Sequence, residues 1–464
     1  MASGRAMETA ARRRFRPYDN YSPARVAFID VLPAHWKSSR LKMVADVRLS
    51  NVDKKSVAGE PPVRLCNYTD VYYNEKITEA IEFMPATATD DQVARFGLRK
   101  GDVLITKDSE SWSDIAVPAV VMEDLEGVLC GYHLAQVRPG PWVEGRFLAR
   151  AFASEGIRDQ FFVAANGITR YGLSVDDIVS AWFPVPPLDE QAAIADFLDR
   201  ETAKIDVLIA EKQRLIDLLQ EKRTALITRA VTKGIDSSVP MKDSGIDWLG
   251  EIPSHWDAKP LRLLARPGYK TFTDGDWIEA PFIRSDGIRL IQTGNIGVGR
   301  YKEQGYRYID EETFSSLRCT EVEPGDVLIC RLADPVGRAC LTPTLGVRMI
   351  TSVDVCILKH AKQSVGPFIV YALSNPNYLS WMGAICRGGT RDRVSRSMLG
   401  SIRVQVPPVE EQQEIVDYLN QQTAGIDSLI SRILNGISSL EEHRTALISA
   451  AVTGKIDVQA EGVA

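Results

Sequence analysis

The 464 residues include 45% hydrophobic and 25% charged side chains, a balance of folded globular protein that excludes a disordered chain and leaves length for several separate cores. With 55 basic residues against 61 acidic, the net charge of −6 excludes a uniformly basic chain but not local basic patches. No apolar stretch is long enough to cross a bilayer, and none follows the arginines of ARRRFR at 11–16 as a secretory signal requires, so a cytoplasmic protein is expected. Cysteines 66, 130, 319, 330, 340, 356 and 386 form no CxxC pair and read as buried small residues of a reducing compartment. Histidines 35, 133, 255, 360 and 443 have no ligand spacing, so no metal is expected.

Residues 1–21 read as a tail whose arginines either touch DNA or belong to a frayed end. From Ser22 onward the chain is written twice. LPAHW at 32–36 answers IPSHW at 252–256, an offset of 220; GDVLI at 101–105 recurs at 325–329, an offset of 224; TRYGLS at 169–174 answers TRDRVS at 390–395, an offset of 221. That last register holds through PPLDEQ and PPVEEQ, which begin at 186 and 407, to Asp236 and Asp457. Offsets that differ only in the globular parts are what loop insertions leave in a duplicated module.

Residues 22–185 and 237–406 mix apolar runs such as VLI with Gly, Pro and Asp turn signals and are expected to be two α+β domains. Residues 186–236 and 407–457 are expected to be helical, with a short tail at 458–464. Pro187 and Pro408 suit a helix start, the acids Asp189, Glu190, Glu410 and Glu411 suit its dipole, and Gly234 and Gly454 suit its left-handed stop. A break near 202–206 and 423–427 would give a short helix and then a long one. Ile205, Leu208, Leu215, Leu219 and Leu226 form one apolar stripe, and Ile426, Ile430, Ile433, Ile437, Leu440 and Leu447 the other. Two like stripes pack most simply on each other with two-fold symmetry, which predicts an antiparallel intramolecular coiled coil between two globular domains. Charge is segregated accordingly: 189–236 hold 10 acids and 8 bases, 410–457 hold 8 and 3, and the remainder is balanced at 44 bases and 43 acids.

No catalytic template is met: there is no GxxxxGK[ST] loop and no HExxH. SNPNY at 374–378 departs from an adenine-methyltransferase NPPY loop at Asn377 and reads as a turn. No catalytic residue, cofactor or metal is therefore assigned. Recognition-type residues are present instead. NYTDVYYNEK at 67–76 offers Asn67, Tyr68, Thr69, Tyr72, Tyr73 and Lys76 as contacts to bases and backbone, although period-two alternation also reads part of it as an ordinary strand. Thr169 and Arg170 recur in the second copy as Thr390 and Arg391. QTGNIGVGRYK at 292–302 offers Gln292 and Asn295 as amide readers, with Arg300 and Lys302 as phosphate contacts. Arg387, Arg391, Arg393, Arg396 and Arg403 fall within 17 residues opposed only by Asp392; arginine forks fit phosphates and guanine edges, the alternative being a solvated basic loop.

The doubled PP(L/V)(D/E)EQ, the KID or GID after it, RTALI closing each helix, (L/I)P.HW opening each copy and GDVLI inside it resemble a type I restriction-modification specificity subunit over residues 22–457. The resemblance implies two target-recognition domains, each reading half of a bipartite asymmetric DNA site, separated by two helical spacers. It also implies docking with two adenine methyltransferase subunits and two motor-nuclease subunits. Residues 203–232, as helix, would extend about 45 Å at ~1.5 Å per residue, or on the order of 13 base pairs. Two other classes stay open: a divergent methyltransferase with a cofactor site, and a scaffold whose coiled coil joins two protein-binding domains.

Overall fold

The computed structural model describes residues 16–386 and 392–459. Contacts divide the chain into two units, one built from residues up to Lys212 and from Leu434 onward, the other from Gln213–Ile433. Both are mixed α/β, and both contain parts of two long helices.

In unit 1 the GDVLI run becomes the centre of a five-stranded sheet. Strands Ala45–Leu49 (β1), Lys76–Ile77 (β2), Val103–Thr106 (β3), Pro118–Val121 (β4) and Leu134–Pro139 (β5) stand in the order β1-β5-β3-β4-β2. β3 is antiparallel to both neighbours, with Val137 and Val120 opposite Val103. Alternate side chains of a strand face opposite ways, and both faces of β3 are covered. Val103 and Ile105 join a cluster with Phe147 and Phe152 of helix Gly145–Ala153, while Leu104 joins another with Leu65, Val71 and Phe96. The run is therefore continuously apolar rather than alternating, and each such side chain contributes about 1.5–3 kcal/mol on burial.

The Gly and Asp of the motif make the turn into β3. Gly101 has φ +88°, Asp102 donates its N–H to the Arg99 carbonyl at 3.0 Å, and its carboxylate accepts the Arg99 N–H at 2.9 Å. Asp102 is buried, and Arg138 on β5 compensates its charge through two contacts of 2.7 Å, as a buried carboxylate requires.

Unit 2 repeats this plan. Phe272–Asp274 (β6), Val327–Cys330 (β7), Ala339–Leu341 (β8) and Val355–Leu358 (β9) stand in the order β6-β9-β7-β8, the counterpart of β1-β5-β3-β4. Gly325 has φ +91°, Asp326 accepts the Glu323 N–H at 2.8 Å, and Lys359 reaches Asp326 at 3.2 Å in the role of Arg138. SNPNY is not a turn but a helix start. Asn375 caps the helix Pro376–Ile385 by accepting the Asn377 N–H at 2.9 Å, and Pro376 sits in the first turn, where a missing N–H costs nothing. All seven cysteines are free and buried.

The long helices are Leu188–Lys233 and Val409–Val452. Neither breaks near 202–206 or 423–427. Thr202 and Thr423 donate their hydroxyls to the Leu198 and Leu419 carbonyls at 2.7 Å, so these polar groups are satisfied within the helix. The stripe of the first helix also departs from expectation: Leu208 and Leu215 are exposed, and Ile216 is buried instead. The expected spacing stepped around Lys212, whose side-chain end lies near Gly436 in unit 1. Within unit 1 the Asp206–Arg444 and Lys212–Gly436 approaches make the helix segments antiparallel. Within unit 2 the Arg223–Asp427 and Gly234–Glu411 approaches do the same.

The repeated motifs form the joint between helices and sheet domain. Gln191 donates to the Trp142 and Pro186 carbonyls (3.0 and 2.8 Å) and accepts the Glu144 N–H (2.8 Å). Gln412 donates to the Gln363 and Pro407 carbonyls (3.3 and 2.9 Å) and accepts the Val365 N–H (2.9 Å). His35 meets Glu190 at 2.9 Å and His255 meets Glu411 at 2.7 Å. Trp36 lies beside Gly454 and Trp256 beside Gly234, each glycine in the left-handed conformation that ends its helix. A Cβ at Gly454 would fall 2.4 Å from Pro33, so this stop has no room for a side chain.

Candidate nucleic-acid interface

The segment 67–76 is chiefly a helix, α1 (Tyr68–Tyr73), and is extended only at Lys76 and beyond. Asn67 and Asp70 form a reciprocal capping box, and burial raises the Asp70 carboxyl. Capping chemistry thus overrides the alternation. Asn67 is buried in this role. Thr69 and Tyr73 are exposed, Tyr73 at 77%, while Tyr68 and Tyr72 stack at 5.6 Å.

Arg170 comes to the same hollow as Tyr68, Thr69, Tyr72 and Tyr73. Its loop, with Thr169 exposed beside it, is held by Tyr171 and Gly172 pairing with Ser109 and Asp108. Around it stand residues that sequence reasoning missed. His133 lies 3.1 Å from Asp108 and 3.4 Å from Arg170, and Lys107 pairs with Asp108 and sits 5.0 Å over the Tyr132 ring. Partial burial pushes the Asp108 carboxyl up, but Lys107 and His133 outweigh it and hold it below the usual range. A signal for Lys107 was available: GDVLI continues as TK in one copy and CR in the other, and Arg331 occupies the same place in unit 2. Leu173 donates its N–H to the Lys107 carbonyl and Val394 to that of Arg331.

Lys76 does not join this surface. It lies 3.4 Å from Asp199 of the first long helix, among ion pairs that fasten the sheet domain of unit 1 to its helices. Glu75 accepts from Arg150 at 2.8 Å and from Arg444 at 2.6 Å; Arg150 also reaches Asp199 at 2.9 Å. Unit 2 replaces the Arg150–Asp199 pair with a neutral bond from Tyr371 to Asn420 at 2.8 Å. Partial burial pushes Glu75 up, yet Arg150 and Arg444 outweigh it and hold it below the usual glutamate range. A carboxylate lowered on folding stabilises above its unfolded pKa of about 4.3, and that stability is lost as pH falls through the lower folded value. Glu75→Gln is therefore expected to lower stability near neutral pH, with the difference from wild type shrinking below about pH 4; urea unfolding across pH checks it.

In unit 2, Gln292 is half-buried, and the Asn295 amide is committed to its own loop. Asn295 is 2% exposed, donates to the Lys302 and Gln304 carbonyls, and accepts the Gln292 N–H. Arg300 and Lys302 are exposed on that loop. Buried Arg338 ties it to the next one, donating to carbonyls of Thr293, Ile296, Leu332 and Pro335. Leu332 in turn bridges Arg393, so the two clusters expected separately are linked through the Arg338 side chain. Arg393 pairs with Asp354 at 2.7 Å, Arg396 lies 3.9 Å from Asp274, and Arg403 donates to the Ala258 carbonyl at 2.8 Å. Arg387, Thr390 and Arg391 lie outside the described residues. Among the described residues no group of three or more His, Cys, Asp or Glu could hold a metal ion, and no helix is long and apolar enough to cross a membrane.

A family model for the type I restriction modification DNA specificity domain matches residues 324–439. The chain is 23% identical over 452 residues to a protein of Methanocaldococcus jannaschii named as the MjaX specificity subunit of a type I restriction enzyme, covering 93% of this chain and 96% of that one. It is 26% identical over 303 residues to the EcoBI specificity subunit of Escherichia coli, covering 63% of this chain and 62% of the relative. Among solved structures, a chain of a type I restriction-modification system aligns with a TM-score of 0.63 at 19% identity, covering 92% of this chain and 99% of that one. The HsdS subunit from Thermoanaerobacter tengcongensis aligns with a TM-score of 0.51 at 18% identity, covering 92% and 98%. With the duplicated motifs and their matching joints, these likenesses make the chain similar to type I restriction-modification specificity subunits in sequence and in fold.

Proposed function

We propose that this chain is the non-catalytic subunit that reads a bipartite asymmetric DNA site in the cytoplasm, one half-site per unit. On this reading the two long helices form an antiparallel intramolecular coiled coil that sets the gap between half-sites. Residues 22–185 and 237–406 are then the target-recognition domains, and 186–236 and 407–457 the spacers. The chain directs adenine methylation by two methyltransferase subunits and cleavage by two motor-nuclease subunits, and needs no cofactor of its own. The observation that carries this reading is the joint built twice with the same hydrogen bonds, once around Gln191 and once around Gln412. A duplicated frame holding two surfaces of different sequence suits a duplex target whose halves differ.

Methylome sequencing of cells expressing the chain with its methyltransferase tests this. One split motif, methylated on adenine in both strands, is expected. An unsplit motif, or S-adenosylmethionine bound by the isolated chain, contradicts it; duplex binding that does not weaken with salt favours the scaffold class.

A further inference from the structure

Helix α1 divides the surface of unit 1 into two hollows of opposite character, both lined by Tyr72 and Tyr73. On one side stand three carboxylates, Asp108, Glu110 and Asp114, with Arg170. On the other is a cavity of about 410 Å³ where Lys76, Arg146, Arg150, Arg158 and Arg444 outnumber the carboxylates Glu75 and Asp199, five to two. Four of these cations hold carboxylates already: Lys76 and Arg150 reach Asp199, Arg146 reaches Asp196, and Arg444 reaches Asp206. Arg158 differs. Its guanidinium lies 5.1 Å over the Phe162 ring, and its Nε is buried with no hydrogen-bond partner among the described residues. Arg158 pairs with no carboxylate among the described residues, so its charge remains available to an anionic acceptor entering the cavity.

We propose that this cavity seats a backbone phosphate of the bound duplex, leaving the Tyr72 and Tyr73 ridge over the base edges. The proposal rests on the DNA-specificity reading and adds to it the path of one strand. A phosphodiester supplies acceptors that match a guanidinium fork, so the backbone runs on the Arg158 side. Because phosphates carry no base identity, this contact adds affinity without adding specificity.

The test uses the full chain in complex with its methyltransferase, titrated across salt with duplexes holding the motif and with unrelated duplexes. Arg158→Gln is expected to weaken both roughly fivefold to tenfold and to lower the salt slope by about one phosphate contact, with Arg158→Lys recovering most of the loss. A neutral methylphosphonate scanned along each strand gives a second readout on the wild-type protein. One position should weaken it as much as Arg158→Gln does, and should have no further effect on that variant. Unchanged affinity and slope in Arg158→Gln, or altered base preference in one half-site, overturns the proposal. So does an unfolding midpoint raised by inorganic phosphate in wild type alone while duplex binding is equal in both, which makes this a free-anion site. Failure of the underlying reading looks different: the wild-type complex would then show no salt-steep duplex binding.

Discussion

Trp256→Ala is expected to lower the stability of unit 2 by about 3–5 kcal/mol. Trp256 has no exposed surface and shares a cluster with Ile227 and Val231 of one long helix, Ile415 and Leu419 of the other, and Phe368. Its ring meets Phe368 edge-on, 6.5 Å between centroids at 85°, a geometry that adds to the burial itself. Truncation removes an anchor common to both helix segments and the sheet domain, and the rigid elements around it cannot collapse into the gap. Urea unfolding should show the loss, and a drop below about 1 kcal/mol would mean that the IPSHW loop is peripheral to the joint.

The second large effect concerns the proposed spacing function. Removing one heptad from each long helix, 213–219 and 430–436, leaves the Asp206–Arg444 and Arg223–Asp427 pairs at the same helical register. It shortens each helix by about 10 Å, or about three base pairs. The methylated motif should keep both half-site sequences while the gap between them contracts by about three base pairs. Binding should also weaken, because that change turns the half-sites by more than a quarter of a duplex turn relative to each other. Altered half-sites with an unchanged gap would sink the idea that the helices act as a ruler.

Much of the frame was legible because its signals are periodic or repeated. GDVLI announced a strand in each unit, and Gly234 and Gly454 announced the helix stops. The errors came where one local interaction outvotes a pattern. A reciprocal Asn67–Asp70 cap turned an apparent strand into a helix, Asn375 turned an apparent turn into a helix start, and the helices run on through Thr202 and Thr423, whose hydroxyls bond to the preceding turn. The surfaces proposed for recognition were the least legible. Lys76 stands beside Asp199, more than a hundred residues away along the chain, a pairing that no local spacing encodes. His133 and Arg170 meet only because Tyr171 pairs with Ser109, and no spacing along the chain encodes that encounter.

The grip of Gln191 and Gln412 falls entirely on main-chain atoms. Trp142 and Glu144 supply those atoms in one unit, Gln363 and Val365 in the other, and the bonds are the same. Any residue with an amide and a carbonyl can occupy those socket positions. That one fitting is thus indifferent to the side chains it holds, whereas Arg150 on Asp199 and Tyr371 on Asn420 are each matched to their own copy.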